Sequence, residues 1–198
     1  MSARYRWLGL AAVFILAACV SQETKIDAIK EINDAFRADY ETRLADDGTR
    51  TFKQPPGATF DAVNAALTRL GLVIEKRVPE MGFIAAEAPA PLPLDRSEWD
   101  RAAAADLPKA RAILARYIGA LAGFFNFEPE GLDIVITANV NDTDGGSEVS
   151  FTMRMREVAP PKQDLPRREY PPPTAAKMGL DKIWKTVDLE LAARTTKR

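Results

Sequence analysis

A single cysteine, Cys19, is the residue of this 198-residue chain whose surroundings define its chemistry most sharply. A thiolate is a strong nucleophile, but the chain contains no histidine to serve as its base, and no serine lies in a Gly-x-Ser-x-Gly elbow. The missing histidine excludes Ser-His-Asp and Cys-His catalysis, and one cysteine forms neither an internal disulfide nor a cysteine-rich zinc site. We therefore expect a non-enzymatic protein without a cofactor, in which Cys19 is modified rather than catalytic.

Cys19 stands at the end of a segment that is typical of a secretory signal peptide. Arg4 and Arg6 form its positive start, and Trp7 to Ala18 follow as an uncharged apolar run. As a helix, these twelve residues would rise about 18 Å, which is well short of the roughly 30 Å hydrocarbon core of a bilayer. The sequence therefore predicts that residues 1–18 are a signal peptide and not a membrane span.

The residues at the predicted cleavage point, Leu16-Ala17-Ala18-Cys19, resemble the lipobox of bacterial lipoproteins. The resemblance implies cleavage before Cys19, a thioether-linked diacylglycerol on its sulfur, and acylation of the new amino group. Each buried methylene contributes about 0.8 kcal/mol and one chain alone binds marginally, so the combined chains would attach the protein permanently. Val20 follows the cysteine, and in the family's sorting logic this favours the outer membrane over the inner membrane. The alternative is a plain signal peptide cut after Ala18, which would leave a free thiol.

Basic residues form the second group with a defined chemistry. Arg154 and Arg156 lie on the outward side of a predicted strand, and Lys162, Arg167 and Arg168 follow in a proline-rich loop. Together they would form a patch for an anionic envelope partner, such as a lipid headgroup, lipopolysaccharide or an acidic protein surface. The alternative is a solvated strand face with interspersed charge, as one-sided antiparallel sheets usually carry.

An acidic segment, Asp142-x-Asp144-Gly145, has part of a calcium-loop pattern. Placing Gly145 at the sixth position of an EF-hand loop puts apolar residues at the first and twelfth positions, where carboxylates are required. We therefore predict a hairpin turn, because Asp and Gly tolerate the backbone angles that such a turn needs.

The composition is that of an ordinary globular protein, with 46% hydrophobic, 28% charged and 8% aromatic residues and a net charge of −1. Near-neutral charge argues against nucleic-acid binding, because such proteins carry a clear basic excess. The length allows a single domain with a tether. We place the lipidated N-terminus and an amphipathic tether helix in residues 19–50, and the domain in residues 51–198.

Hydrophobic periodicity predicts the elements that must position these groups. A helix over Gln22 to Asp47 carries an apolar stripe that includes Phe36 and Tyr40, so it is expected to dock on this chain or on a partner. The remaining predicted elements are a short strand at 51–53, a helix starting at Thr59, strands at 72–78 and 83–87, a helical insert at 97–121 that Ser97 starts and Pro108 interrupts, a hairpin at 132–155, a proline-rich loop at 158–173 and a closing helix at 174–194.

This order of elements predicts an α+β domain, with an antiparallel sheet of about four to five strands packed by helices on one face. The order resembles the helix-grip domains of the C lipoprotein of the β-barrel assembly machinery. The matching features are the helix face Phe60/Val63/Leu67/Leu70 with Gly71, the strand Leu72–Val78, and Gly82 before Ile84. No binding residue is carried over from that family.

We expect a lipid-anchored periplasmic protein that binds or assembles with an envelope partner at the outer membrane. The alternative is a carrier or sensor that holds an apolar ligand between the sheet and the C-terminal helix. Trp184 would close such a pocket, and Met153 and Met155 would line it.

Overall fold

The computed structural model describes residues 21–158, 165–169 and 171–195. The predicted signal peptide, Cys19 and Lys162 lie outside these residues. In the described part, the chain has the predicted α+β fold, in which five antiparallel strands form one open sheet and four α-helices pack on one face of it.

The helices and strands follow one another in the predicted order. They are α1 (Gln22–Asp47), β1 (Thr49–Phe52), α2 (Pro56–Arg69), β2 (Val73–Val78), β3 (Phe83–Pro89), α3 (Arg96–Ile118), β4 (Leu132–Thr143), β5 (Gly146–Glu157) and α4 (Pro173–Thr195). Short 3-10 helices lie at Pro79–Met81 and Gly119–Phe124. The strands lie side by side in the order β1-β5-β4-β3-β2.

The main hydrophobic core lies between the inward face of the sheet and the helices. Alternate residues of β4 and β5 are buried, which confirms the predicted hairpin with one inward face. The predicted stripe of α4 is buried against them and consists of Leu180, Ile183, Trp184, Val187 and Leu191.

The β4–β5 hairpin turns through Asp144 and Gly145 alone, which confirms the predicted turn. Gly146, the first residue of β5, has a φ of 148°. A Cβ atom at this position would lie 2.0 Å from the carbonyl oxygen of Phe52, so only glycine lets β1 approach the start of β5.

Two predicted helix boundaries are wrong. Helix α2 begins at Pro56 and not at Thr59, because proline fits the first turn of a helix, where an amide hydrogen has no partner. Thr59 is buried instead and accepts a hydrogen bond from the hydroxyl of Ser147 at 2.8 Å. Helix α3 is capped by Asp95, rather than Ser97, through a capping box with Glu98.

Pro108 does not interrupt the helical insert, which is one continuous helix. Proline removes one backbone hydrogen bond from a helix interior and disfavours it. Here Pro108 is exposed, while both halves of α3 bury apolar residues, such as Trp99 before it and Ile113 after it. Packing on both sides of Pro108 therefore outweighs the local preference for a break.

Helix α1 packs on its own chain, so the first of its two predicted alternatives, docking on this chain or on a partner, is the one that the structure has. β1 pairs only with residues 147–150 of β5, so the edge of β5 beyond this point lacks a neighbouring strand. Helix α1 and the residue that caps its end, Gly48, supply the partners there. The amide of Phe151 donates to the carbonyl of Gly48 at 2.8 Å, and the amide of Met153 donates to the hydroxyl of Tyr40 at 2.5 Å. Trp184 of α4 donates its indole hydrogen to the carbonyl of Asp47 at 2.8 Å.

Tyr40→Phe removes the hydroxyl that the buried amide of Met153 donates to. An unpaired buried amide costs about 1–3 kcal/mol, so we expect the free energy of unfolding to fall by that amount. Urea denaturation followed by circular dichroism measures the change. Tyr117→Phe is the matched control, because its hydroxyl bonds the half-exposed Glu31 and its loss should matter less. Equal urea midpoints for Tyr40→Phe and the parent protein would contradict the assigned contact.

Candidate functional site

An apolar cleft of about 190 Å³ lies beneath α1, at the end of the sheet where β4 begins and β5 ends. Its apolar walls come from α1, from α3, from the segment before β4, from the two strand ends and from the residue just before α4. These wall residues are Ile29, Ile32, Phe36, Trp99, Phe125, Phe127, Leu132, Met155 and Pro172. Asn33, Asn126, Glu128 and Arg168 accompany them.

The aromatic wall of the cleft is fixed by contacts with α3. Trp99 donates its indole hydrogen to the carbonyl of Phe127 at 3.2 Å, and Arg111 donates to the carbonyl of Phe125 at 3.0 and 3.1 Å. The rings of Phe125 and Phe127 meet edge to face with centroids 5.1 Å apart, and Phe36 of α1 lies 5.6 Å from Phe127. The wall is therefore preorganised, which reduces the entropy that a ligand would have to remove.

The proline-rich segment borders the cleft on the side of α1. Asn33 donates its side-chain amide to the carbonyl of Arg167 at 3.0 Å. The guanidinium of Arg168 pairs with Glu157 at 3.1 Å and donates to the carbonyl of Glu128 at 3.4 Å. Arg168, predicted from the sequence as part of a basic patch, thus stands beside the cleft with its charge paired.

Of the other predicted members of the basic patch, Arg167 lies in the proline-rich segment, where Asn33 of α1 bonds its carbonyl, and two lie on the sheet. Arg154 and Arg156 point away from the helices, as expected from the alternation in β5. Arg156 pairs with Glu87 at 2.9 Å and with Asp133 at 3.3 Å, so two carboxylates balance its charge. Lys162 lies outside the described residues. Binding of an anionic partner by these residues stays a prediction.

Asp106 has a perturbed carboxyl group, but its contacts are structural. Burial raises the pKa of Asp106, although its two oxygens accept hydrogen bonds from the amide and the hydroxyl of Thr174, each at 2.9 Å. These bonds satisfy donors in the first turn of α4 and connect it to α3. The contacts of Asp106 are those of a residue that caps a helix, and not those of an acid–base catalyst.

The cleft does not lie where the sequence placed a possible ligand pocket. Trp184 is fully buried and packs edge to face on Phe151, with ring centroids 4.6 Å apart. Gly179 of α4 lies so close to β5 that a Cβ atom there would be 3.0 Å from the terminal methyl of Met153. The sheet and α4 are thus in direct contact at Met153, and Met155 alone of the three expected residues lines the cleft.

The aromatic wall lies in residues 123–131, between the predicted helical insert and the predicted hairpin, where hydrophobic periodicity predicts no helix or strand. The available signal was Phe124, Phe125 and Phe127, since solvated loops rarely concentrate aromatic side chains. The sequence predicts part of the α1 side of the cleft, because Phe36 belongs to the predicted apolar stripe.

In comparisons with known proteins, no family model, no curated protein and no solved structure matches this chain. The resemblances to bacterial lipoproteins and to helix-grip domains therefore stay predictions. Across residues 21–158, 165–169 and 171–195, no helix combines the length and the apolar character that crossing a membrane requires.

A cleft of this size should bind a small apolar molecule. An engineered apolar cavity of about 150 Å³ in another protein binds benzene, so we expect benzene to shift the methyl signals of Met155 and Leu132 saturably in NMR spectra. Ile29→Trp should abolish the shifts by filling the cleft. Val73→Trp, on an exposed position of β2, is the control and should preserve them. Shifts that persist in Ile29→Trp, or none in the parent protein, would contradict the assignment.

Proposed function

We propose that this chain is a lipid-anchored, non-enzymatic protein of the bacterial cell envelope that binds a protein partner at the periplasmic face of the outer membrane. The observation that carries the proposal is the short separation along the chain between Cys19 and the folded body. The lipobox-like residues Leu16-Ala17-Ala18-Cys19 end where α1, a helix packed into the fold, is about to begin.

The start of α1 is well defined. The side chain of Ser21 caps the helix by accepting a hydrogen bond from the amide of Thr24 at 3.1 Å. Cys19 and Ser21 are two residues apart, and two residues span at most about 7 Å. Acyl chains on Cys19 would consequently hold the body against the bilayer, without the long flexible linker that a distant partner would require.

The cleft supports a protein partner more than a free lipid. Pockets for drug-sized ligands measure about 300–1,000 Å³, whereas this cleft of about 190 Å³ fits one large side chain. Interfaces commonly gain most of their affinity from one aromatic or aliphatic anchor in a desolvated pocket, bordered by polar groups. Asn126 and Glu128, both exposed beside the cleft, are suited to hydrogen bonding with the backbone of such a partner.

A carrier or sensor of apolar ligands is the second candidate, and the apolar lining of the cleft favours it. In that case the ligand would be a single ring or a short aliphatic segment, because the volume does not admit a longer chain. Crosslinking from the cleft separates the two candidates: a photoreactive group at Asn126 should capture an envelope protein under the first, and small apolar molecules should be recovered with the purified protein under the second.

The lipid anchor is tested by processing in a bacterial host. Globomycin, which blocks lipoprotein signal cleavage, should accumulate the full-length precursor. Without the drug, intact-mass spectrometry should show a chain that begins at Cys19 and carries the added mass of diacylglycerol and a further acyl chain. Cys19→Ser should lack that mass and leave the membrane fraction after carbonate washing if the chain is still cleaved. Normal maturation under globomycin, or an unmodified thiol, would contradict the proposal.

A further inference from the structure

An exposed apolar segment lies between α3 and the aromatic wall of the cleft. Residues 117–125 include no charged side chain, and the 3-10 helix Gly119–Phe124 forms most of this stretch. Phe124 at its end is 83% exposed, more than any other large hydrophobic side chain in the described ranges. Ala120 is also exposed, and Ile118, Leu121 and Phe125 are half-buried, so Phe124 belongs to a contiguous apolar surface. Contiguous exposed apolar surfaces commonly mark contact sites.

This segment lies beside the first turns of α1. Ala122 packs with Ala28 and Leu114 in a small buried cluster that is separate from the main core. Tyr117 donates its hydroxyl hydrogen to Glu31 at 2.6 Å, and this bond raises the pKa of the Tyr117 phenol. From Ala28 to Ser21, α1 extends by about 10 Å, so the segment and the start of α1 share one end of the molecule.

We propose that Gly119–Phe124 is a second membrane contact, whose apolar side chains insert into the same lipid leaflet that holds the acyl chains of Cys19. This inference rests on the proposed lipid anchor. Because α1 is packed into the fold, an anchor two residues before Ser21 brings this end of the body to the bilayer. Once anchored, the segment meets the lipid at a high effective concentration, so a small apolar surface suffices for insertion.

The chemistry of this end favours the apolar part of the bilayer over its charged headgroups. Of the cations on α3 at this end, Arg116 pairs with Glu31 of α1. The half-buried Arg111 donates to the carbonyl of Phe125 at 3.0 and 3.1 Å and to the side chain of Asn126 at 3.2 Å, so both guanidinium groups are engaged within the chain. The first ten residues of α1 carry Lys25 and Lys30 against Glu23, Asp27 and Glu31, which leaves no basic excess. The contact should therefore be insensitive to salt, unlike one that rests on lysines and anionic lipids.

The opposite end of the sheet provides an internal control. β4 runs from Leu132 beside the cleft to Val140, which is about 26 Å at the usual rise of a strand. The amide of Val140 donates to the carbonyl of Gly82 at 2.8 Å, next to the Pro79–Met81 turn. Met81 is 73% exposed in that turn, so it matches Phe124 in exposure but lies away from the proposed membrane contact.

The experiment uses the full chain, processed in a bacterial host and reconstituted in phosphatidylcholine vesicles. Acylated Cys19 cannot react with a thiol reagent, so Phe124→Cys and Met81→Cys each provide one site for a nitroxide label. Electron paramagnetic resonance then compares collisions with oxygen, which concentrates in lipid, and with a water-soluble nickel chelate. We expect the oxygen-to-nickel ratio to be severalfold higher at position 124 than at 81, at both low and high salt.

The outcomes separate this inference from the anchor itself. Vesicle-bound, acylated protein with equal ratios at both positions would overturn the second contact and leave the anchor intact. A difference that high salt removes would overturn insertion, because it would indicate an electrostatic contact. Protein that is not acylated reacts with the label at Cys19 and does not float with the vesicles, which would overturn the anchor and the inference that rests on it.

Discussion

The docking of α1 against the exposed edge of β5 is the interaction on which the rest of the structure depends. β1 is four residues long and β5 is twelve, so one strand cannot pair the whole edge. Beyond the end of β1, the carbonyl of Gly48 accepts a hydrogen bond from the amide of Phe151, and the hydroxyl of Tyr40 accepts one from the amide of Met153. Unpaired strand edges invite aggregation, and covering one with a helix is a common remedy. Helix α1 is therefore part of the fold and not a separate spacer.

The other features follow from this placement. Phe36, Ile32 and Ile29 form one side of the cleft only because α1 lies over the ends of β4 and β5. The same docking fixes the direction in which the chain leads back to Cys19. A lipid at that position would set the orientation of the whole body, with the cleft near the bilayer and the β4–β5 turn away from it.

The fold could be predicted well from the sequence because its determinants are local. Apolar and polar residues alternate along β4 and β5 because one face of each strand is buried, and the apolar stripe of α4 marks the one buried face of that helix. Asp144-Gly145 is a strong turn signal. The path of α3 through Pro108 could not be predicted, because packing at Trp99 and Ile113 outweighs the local preference. The hydrogen bond between Tyr40 and the edge of β5 could not be predicted either, because it joins residues 113 positions apart.

The candidate site was predictable only in part, for a related reason. A cleft arises where elements fail to fill space, and this depends on how α1 crosses the sheet rather than on any motif. Arg168 was identified as a binding candidate from its charge, yet Glu157 pairs with it in the structure. The sequence shows where a charged residue lies along the chain, but it does not show which oppositely charged residue the fold places beside it. Cys19 differs, because its assignment rests on neighbours in the sequence and not on the fold.

Hydrogen exchange of the processed protein tests the integral role of α1 most directly. Most of the stability of a helix in a protein comes from tertiary packing, so the amides of α1 exchange slowly only if such packing holds the helix. We predict that the amides of Phe36 to Leu44 are protected to the same degree as those in the middle of α4. Rapid exchange in this part of α1, while α4 and the sheet stay protected, would contradict the account.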